Sequence, residues 1–152
     1  MGDFRSLCYY NRVEIKAKKI KENAILPSYA HSNDAGADLF ACEEITIAPH
    51  ERGLVSTGVA LAIPDGYVGL VWDKSGLATK HGISTIAGVI DAGYRGEIIV
   101  AVVNISNEPH TFKVGEKVAQ LLVQPVSQAS FIETDILDES SRGDKGFGST
   151  GK

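Results

Sequence analysis

Val55, Thr57, Val59, Leu61 and Ile63 alternate with small residues until Pro64-Asp65-Gly66 turns the chain. A period of two puts all five side chains on one face of a strand, whereas a helix would scatter them around its axis. The same alternation places Val13, Ile15 and Ala17 between charged residues and recurs at Ile45 and Ile47, and Tyr67 to Trp72 continues as a further strand. From Ile98 to Ile105 nearly every residue is apolar, the pattern expected of a strand buried on both faces. Val118 to Val126 reads similarly except for Gln120 and Gln124. Pro27, Pro49, Pro64, Pro109 and Pro125 fall at or near element edges, where a missing N–H costs no ladder bond. A short helix over Ser75 to Lys80, closed by Gly82, is the one interruption, so the pattern predicts an all-β domain.

A length of 152 residues suits one domain with an ordinary hydrophobic core. The net charge of −4 argues against general nucleic-acid binding, yet leaves room for one anionic ligand in a locally basic pocket. Cys8 and Cys42 are too few for a disulfide framework and lack the spacing of a zinc site. No apolar run approaches the ~18 residues of a membrane span, and the start lacks the apolar core of a signal peptide. A cytoplasmic chain that engages neither membrane nor nucleic acid is expected. Met1-Gly2 with Ser6 fits a myristoylation pattern, but Asp3 adds a charge beside the acceptor, and residues 1–12 read as a poorly ordered leader. The barrel domain is assigned to 13–137. Residues 138–152, DESSRGDKGFGSTGK, are glycine-rich, hold no aliphatic side chain and carry one aromatic, Phe147, so they read as a flexible lid segment.

Two patterns in that tail carry no weight. Gly146, Gly151 and Lys152 have the spacing of a P-loop without its Ser or Thr and following helix, and Arg142-Gly143-Asp144 is a chance tripeptide. Four other segments carry chemistry. Ala35 to Ala41 sets Asp38 among small and apolar residues, where a carboxylate needs hydrogen bonds or a cation. Trp72 to Gly82 puts Lys74, the Ser75 hydroxyl and the amides of Ser75 and Gly76 at a helix start, with Ser75 a good N-cap. Gly88 to Gly96, GVIDAGYRG, reads as a β-hairpin with Ala92-Gly93 at its tip, carrying Asp91 and Tyr94. Gly115 to Val126 holds Gln120 inside an apolar strand, where its amide must find a partner.

With the tail's Gly-Phe-Gly-Ser-Thr-Gly, these form a five-part set in which the sequence resembles the trimeric deoxyuridine triphosphatases, from about residue 13 to 152. The resemblance implies a jelly-roll-like β-barrel that forms a homotrimer with active sites at subunit interfaces, hydrolysing dUTP to dUMP and pyrophosphate with Mg²⁺. By the same resemblance Asp91 deprotonates the water that attacks the α-phosphorus. Lys74, Ser75, Gly76 and Gln120 contact phosphates, and Asp38 lies near the metal's water shell. Tyr94 packs on the deoxyribose and leaves no space for a 2′-hydroxyl, while the backbone at Gly88 and Ile90 reads uracil. Arg142 reaches the γ-phosphate, Phe147 stacks on uracil, and Gly148 and Ser149 complete the tail's contacts.

The chain departs from the family where Asp73-Lys74 replaces Pro-Arg, where Gly93 replaces an acid, and where Asp144 and Lys145 replace small residues. Lysine lacks arginine's bidentate fork, so a different phosphate geometry is expected at position 74. Deoxycytidine triphosphate deaminases share the fold and the Ile-Asp-x-Gly pattern, but their catalytic glutamate falls where this chain has Ala101. A non-catalytic trimeric nucleotide-binding module is the remaining alternative, and a bare scaffold has no packing reason to keep Asp91, Tyr94, Ser75, Gln120 and Phe147 together.

Overall fold

The computed structural model describes residues 13–141 and 143–144. The leader 1–12, Arg142, Lys145, Phe147, Gly148 and Ser149 lie outside the described residues. Among the described residues, ten strands and one helix follow one another as β1 (Lys16–Lys19), β2 (Ala37–Phe40), β3 (Ile45–Ile47), β4 (Arg52–Ala62), β5 (Tyr67–Asp73), α1 (Ser75–His81), β6 (Ile83–Thr85), β7 (Val89–Ile90), β8 (Glu97–Asn104), β9 (His110–Phe112) and β10 (Lys117–Pro125). Two four-stranded sheets, β1-β4-β8-β6 and β2-β10-β5-β7, face each other, and β3-β9 forms a small third sheet. Every pairing is antiparallel, giving the jelly-roll-like all-β architecture expected from the sequence.

The alternating residues of β4 meet the core as their period requires: Val55, Thr57, Val59 and Leu61, with Ile63 just after the strand, are all buried, against Leu39, Val71, Val100, Phe112 and Leu121. Ser56 lies opposite Ile99 and Ala60 opposite Glu97, so four steps along β4 match two along β8. The bulge thus adds an even number of residues, and the alternation stays in phase through it. Thr57, inside the bulge, satisfies its hydroxyl by donating to the Ile98 carbonyl at 2.6 Å.

Three expectations change. The run from Ile98 to Ile105 is buried on one face only, since Ile99 and Ile105 are exposed while Ile98, Val100 and Val102 are enclosed. The segment 88–96 is a turn, not a hairpin: β7 pairs with β5 and β8 with β4 and β6, so the two arms lie in different sheets. Ala92 and Gly93 do occupy the turn's centre, closed by Tyr94 N–H on the Asp91 carbonyl at 3.0 Å. Ser75 is the first helical residue rather than the N-cap. Lys74 holds the cap position without a side-chain bond to the helix, since an ammonium has no acceptor to offer the free N–H groups, and it reaches Asp38 instead. Gly82 ends the helix as expected, in the left-handed region at φ 64°, with its N–H on the Leu77 carbonyl.

Candidate active site

Asp38, Gln120 and Trp72 stand opposite one another on β2, β10 and β5, and so share one face of the sheet. Lys74 follows two residues after Trp72. Lys117 joins them only because a bulge at Val118 shifts the register: it pairs with Phe40, whose side chain lies on the Asp38 face. The result is an ionic triad, with Lys74 Nζ 2.7 Å from one Asp38 oxygen and Lys117 Nζ 2.7 Å from the other. Burial alone would raise the Asp38 pKa, but the hydrogen bonds and charges of Lys117 and Lys74 outweigh it and hold the carboxyl below its ordinary value. The half-buried Gln120 side chain lies over Gly36, where a Cβ would come within 2.6 Å of its amide oxygen.

Asp73 is a second low carboxyl. It bridges the end of β5 to β6, accepting from the Thr85 amide and hydroxyl and from the Ser84 hydroxyl at 2.9 Å. Those bonds overcome the burial that would raise its pKa. The departure from Pro-Arg at 73–74 therefore supplies two anchored side chains, one fastening the strand into the helix and one reaching Asp38.

On the far edge of the sheet, Val89, Ile90, Asp91, Tyr94, Glu97 and Ile99 line a shallow cavity of about 160 Å³. Tyr94 folds back over the chain, its hydroxyl donating to the Glu97 carbonyl at 2.9 Å, and Gly96 permits this because a Cβ there would meet the phenolic oxygen at 2.4 Å. Arg95 turns its guanidinium onto the Ala92 and Tyr94 carbonyls and so pins the turn from within. Gly88 lets β7 approach β5 closely; a Cβ would lie 2.4 Å from the Val71 carbonyl oxygen. The arrangement offers an exposed carboxylate beside an aromatic face and backbone polar groups, apt for activating water next to a flat, polar ligand.

Two clusters therefore emerge, and one chain does not bring them together. Between Asp38 and Ile90 lie three interstrand steps and a register offset from position 72 to 69, roughly 17 Å at ordinary strand spacings. Asp38 on the edge strand β2 gathers Lys74 and Lys117 beside Gln120, and Ser75 and Gly76 follow Lys74 at the start of α1; Gly88, Ile90, Asp91 and Tyr94 lie on and after the opposite edge strand β7.

Among the described residues no group of three His, Cys, Asp or Glu side chains is placed to hold a metal ion. Asp38, with both oxygens on ammonium groups, fits the outer sphere of a hydrated cation carried by an anionic ligand, since it can accept from metal-bound water without giving up its charge. The sequence did not point to Lys117, Trp72 or Glu97 as neighbours of these clusters. Lys117 becomes one only through the Val118 bulge, which leaves no periodic signature.

The family model for dUTPase matches residues 22–151. A deoxyuridine 5'-triphosphate nucleotidohydrolase of Leifsonia xyli subsp. xyli is 51% identical over 129 residues, covering 83% of this chain and 85% of its own. One from Thermobifida fusca is 44% identical over 145 residues, covering 93% and 81%. Among solved structures, a point variant of the Staphylococcus bacteriophage 80alpha dUTPase with dUpNHpp aligns with a TM-score of 0.86 at 29% identity, over 91% of this chain and 99% of that one. A variant dUTPase from phage phi11 of S. aureus, described as revealing the coordination of a structural Mg(II) ion, aligns at 0.77 with 27% identity, over 82% and 98%. With a family match over most of its length and relatives of this identity, the chain belongs to the dUTPase family.

Proposed function

We infer that the protein hydrolyses dUTP to dUMP and pyrophosphate, by attack of water on the α-phosphorus at sites shared between subunits of a homotrimer. The observation that carries this is the pairing of an exposed carboxylate, Asp91, with the Tyr94 ring in one cavity, in a chain of the dUTPase family. Asp91 takes the proton of the attacking water. Tyr94, held against its own turn, packs on the deoxyribose and excludes a 2′-hydroxyl, and the backbone at Gly88 and Ile90 meets the uracil edge. An incorrect base leaves those polar groups unpaired, which is a strong source of selectivity. Lys74, Ser75, Gly76 and Gln120 receive the phosphate oxygens. Asp38 would hold Mg²⁺ through its water, and the bound ion would supply charge withdrawal from the triphosphate. The segment 138–152 acts as the lid, with Arg142 on the γ-phosphate, Phe147 on uracil, and Gly148 and Ser149 beside them.

Three features support the trimer. Asp38 with Gln120 on one side and Ile90 with Asp91 on the other are too far apart to meet one α-phosphorus from a single chain. Sheet β1-β4-β8-β6 turns Leu54, Ile99 and Ile105 outward, 64%, 46% and 65% exposed, and this apolar strip runs into the Asp91 cavity through Ile99. Beyond β10, Phe131, Ile132, Ile136 and Leu137 are all exposed.

Replacing Asp91 with Asn tests the inference. It keeps the shape and removes the base, so dUTP binding by calorimetry should stay within a few-fold while turnover falls about 10²–10⁴-fold. Undiminished turnover would assign the site to a nucleotide-binding module without this chemistry.

A further inference from the structure

Glu97 follows the Tyr94 turn directly and starts β8. Its carboxylate does not face the cavity's open side but is sunk into the bulge of β4, where one oxygen accepts from the Ser56 hydroxyl and from the Gly58 amide at 2.8 Å. Lys21 reaches the same knot: its ammonium donates to Ser56 Oγ at 2.7 Å and lies 3.6 Å from the second Glu97 oxygen. The Cys42 thiol closes the far side at 2.9 Å from the Ser56 hydroxyl. Burial would push the Glu97 carboxyl up, but Ser56, Gly58 and Lys21 together hold it below its ordinary range and keep it ionised. The same residue's backbone carbonyl receives the Tyr94 hydroxyl. One residue thus joins the most constrained part of β4 to the ring expected to select the sugar.

Resting on the reading that Tyr94 packs against deoxyribose, we propose that Glu97 is the positioning residue for that ring: its side chain clamps the start of β8 to β4, so that its carbonyl stands where the Tyr94 hydroxyl must find it. A ring held at both its backbone and its hydroxyl cannot swing aside, and steric exclusion of a 2′-hydroxyl requires a wall that does not yield. Glu97 touches no substrate in this role. Loosening it should soften discrimination between dUTP and UTP more than it slows the chemical step.

The test compares the full-length wild type with Glu97→Ala, Glu97→Gln and Ser56→Ala. Glu97→Ala should cut the ratio of kcat/KM for dUTP over UTP about tenfold, acting mainly through a lower KM for UTP, as loss of a charge-assisted bond behind the steric wall implies. Glu97→Gln, which still accepts from Ser56 and Gly58, should recover most of the ratio, and Ser56→Ala should fall between them. In the Tyr94→Phe background, where the hydroxyl is gone, Glu97→Ala should leave the ratio unchanged. A ratio that stays within about twofold in folded Glu97→Ala and Ser56→Ala would overturn the proposal, whereas a uniform fall in kcat for both nucleotides would assign Glu97 to stability alone. Hydrogen exchange of the peptide 91–98 in the nucleotide-free protein gives an answer independent of turnover. It should speed up about tenfold in Glu97→Ala, with the peptide 117–125 unaffected, and equal protection in both proteins would overturn the clamp. A wild type inactive on dUTP with exchange behaving as expected would instead retire the hydrolase reading and leave the clamp standing.

Discussion

The two carboxylates that matter most stand in opposite environments. Asp38 is sunk between Lys74 and Lys117, each at 2.7 Å, and its pKa is held low; Asp91 stands exposed at the head of a turn. A charge fixed between two cations is a poor proton acceptor, while Asp91 is open to water, which favours the proposed division of general-base chemistry to Asp91 and ligand neutralisation to the lysines around Asp38. Removing Asp38 should do more than delete one contact. Asp38→Ala leaves two ammonium groups facing each other, so the melting temperature of the nucleotide-free protein should drop by several degrees, corresponding to about 1–3 kcal/mol, and inorganic triphosphate should restore part of the loss. A melting curve with and without triphosphate checks both halves of this expectation.

At the level of elements, β5 is the spine of the site, because it pairs with β10 on one side and β7 on the other and hands the chain to α1. Gly88 sits where β7 crosses it, with no room for a Cβ against the Val71 carbonyl. Gly88→Ala should therefore push β7 off β5 and raise KM for dUTP about tenfold or more, while the core sheet β4-β8 and its circular-dichroism signal stay intact. Asp73 ties β5 to β6, and its lowered pKa gives a signed pH dependence. Its stabilisation is fully present above the ordinary carboxyl value of 3.8 and is lost as pH falls through the lower folded value. Asp73→Asn should thus melt less steeply with acid below about pH 4 than the wild type, which thermal scans from pH 7 to 2.5 would record. The elements themselves were legible where a period exists: Val55 to Ile63 showed β4, and Ser75 with Gly82 bounded the helix to within a residue. Partners across the sheets were not legible. The residues from Gly88 to Gly96 look like a hairpin because apolar stretches flank a turn, and nothing local says that the two arms enter different sheets. Lys117 was invisible beside Asp38 for the same reason, since a one-residue bulge is a property of pairing rather than of sequence.

For the whole molecule, the distance between the clusters carries the most weight. If each site takes Gln120 and its neighbours from one subunit and Asp91 and Tyr94 from another, then inactive Asp91→Asn and Gln120→Ala proteins should complement. Refolded together in equal amounts, random trimers contain about one quarter of sites with both residues intact, so about a quarter of wild-type turnover should return; a site built within one chain would restore none. The apolar strip of Leu54, Ile99 and Ile105 explains why Ile98 to Ile105 reads as doubly buried: the second face is apolar too, as the proposed trimer requires of a face that a neighbour covers. If the proposed lid and trimer hold, ending the chain after Ser141 should leave the assembly and its melting temperature unchanged while turnover collapses, because a lid of this kind contributes to the bound triphosphate and not to the core. The most direct measurement of the central claim is pyrophosphate release from dUTP, dCTP, dTTP and UTP in parallel, with and without Mg²⁺ and with ammonia scored from dCTP. Rapid Mg²⁺-dependent release from dUTP alone is the predicted result; silence on all four nucleotides from a folded trimer, or ammonia from dCTP, would contradict it.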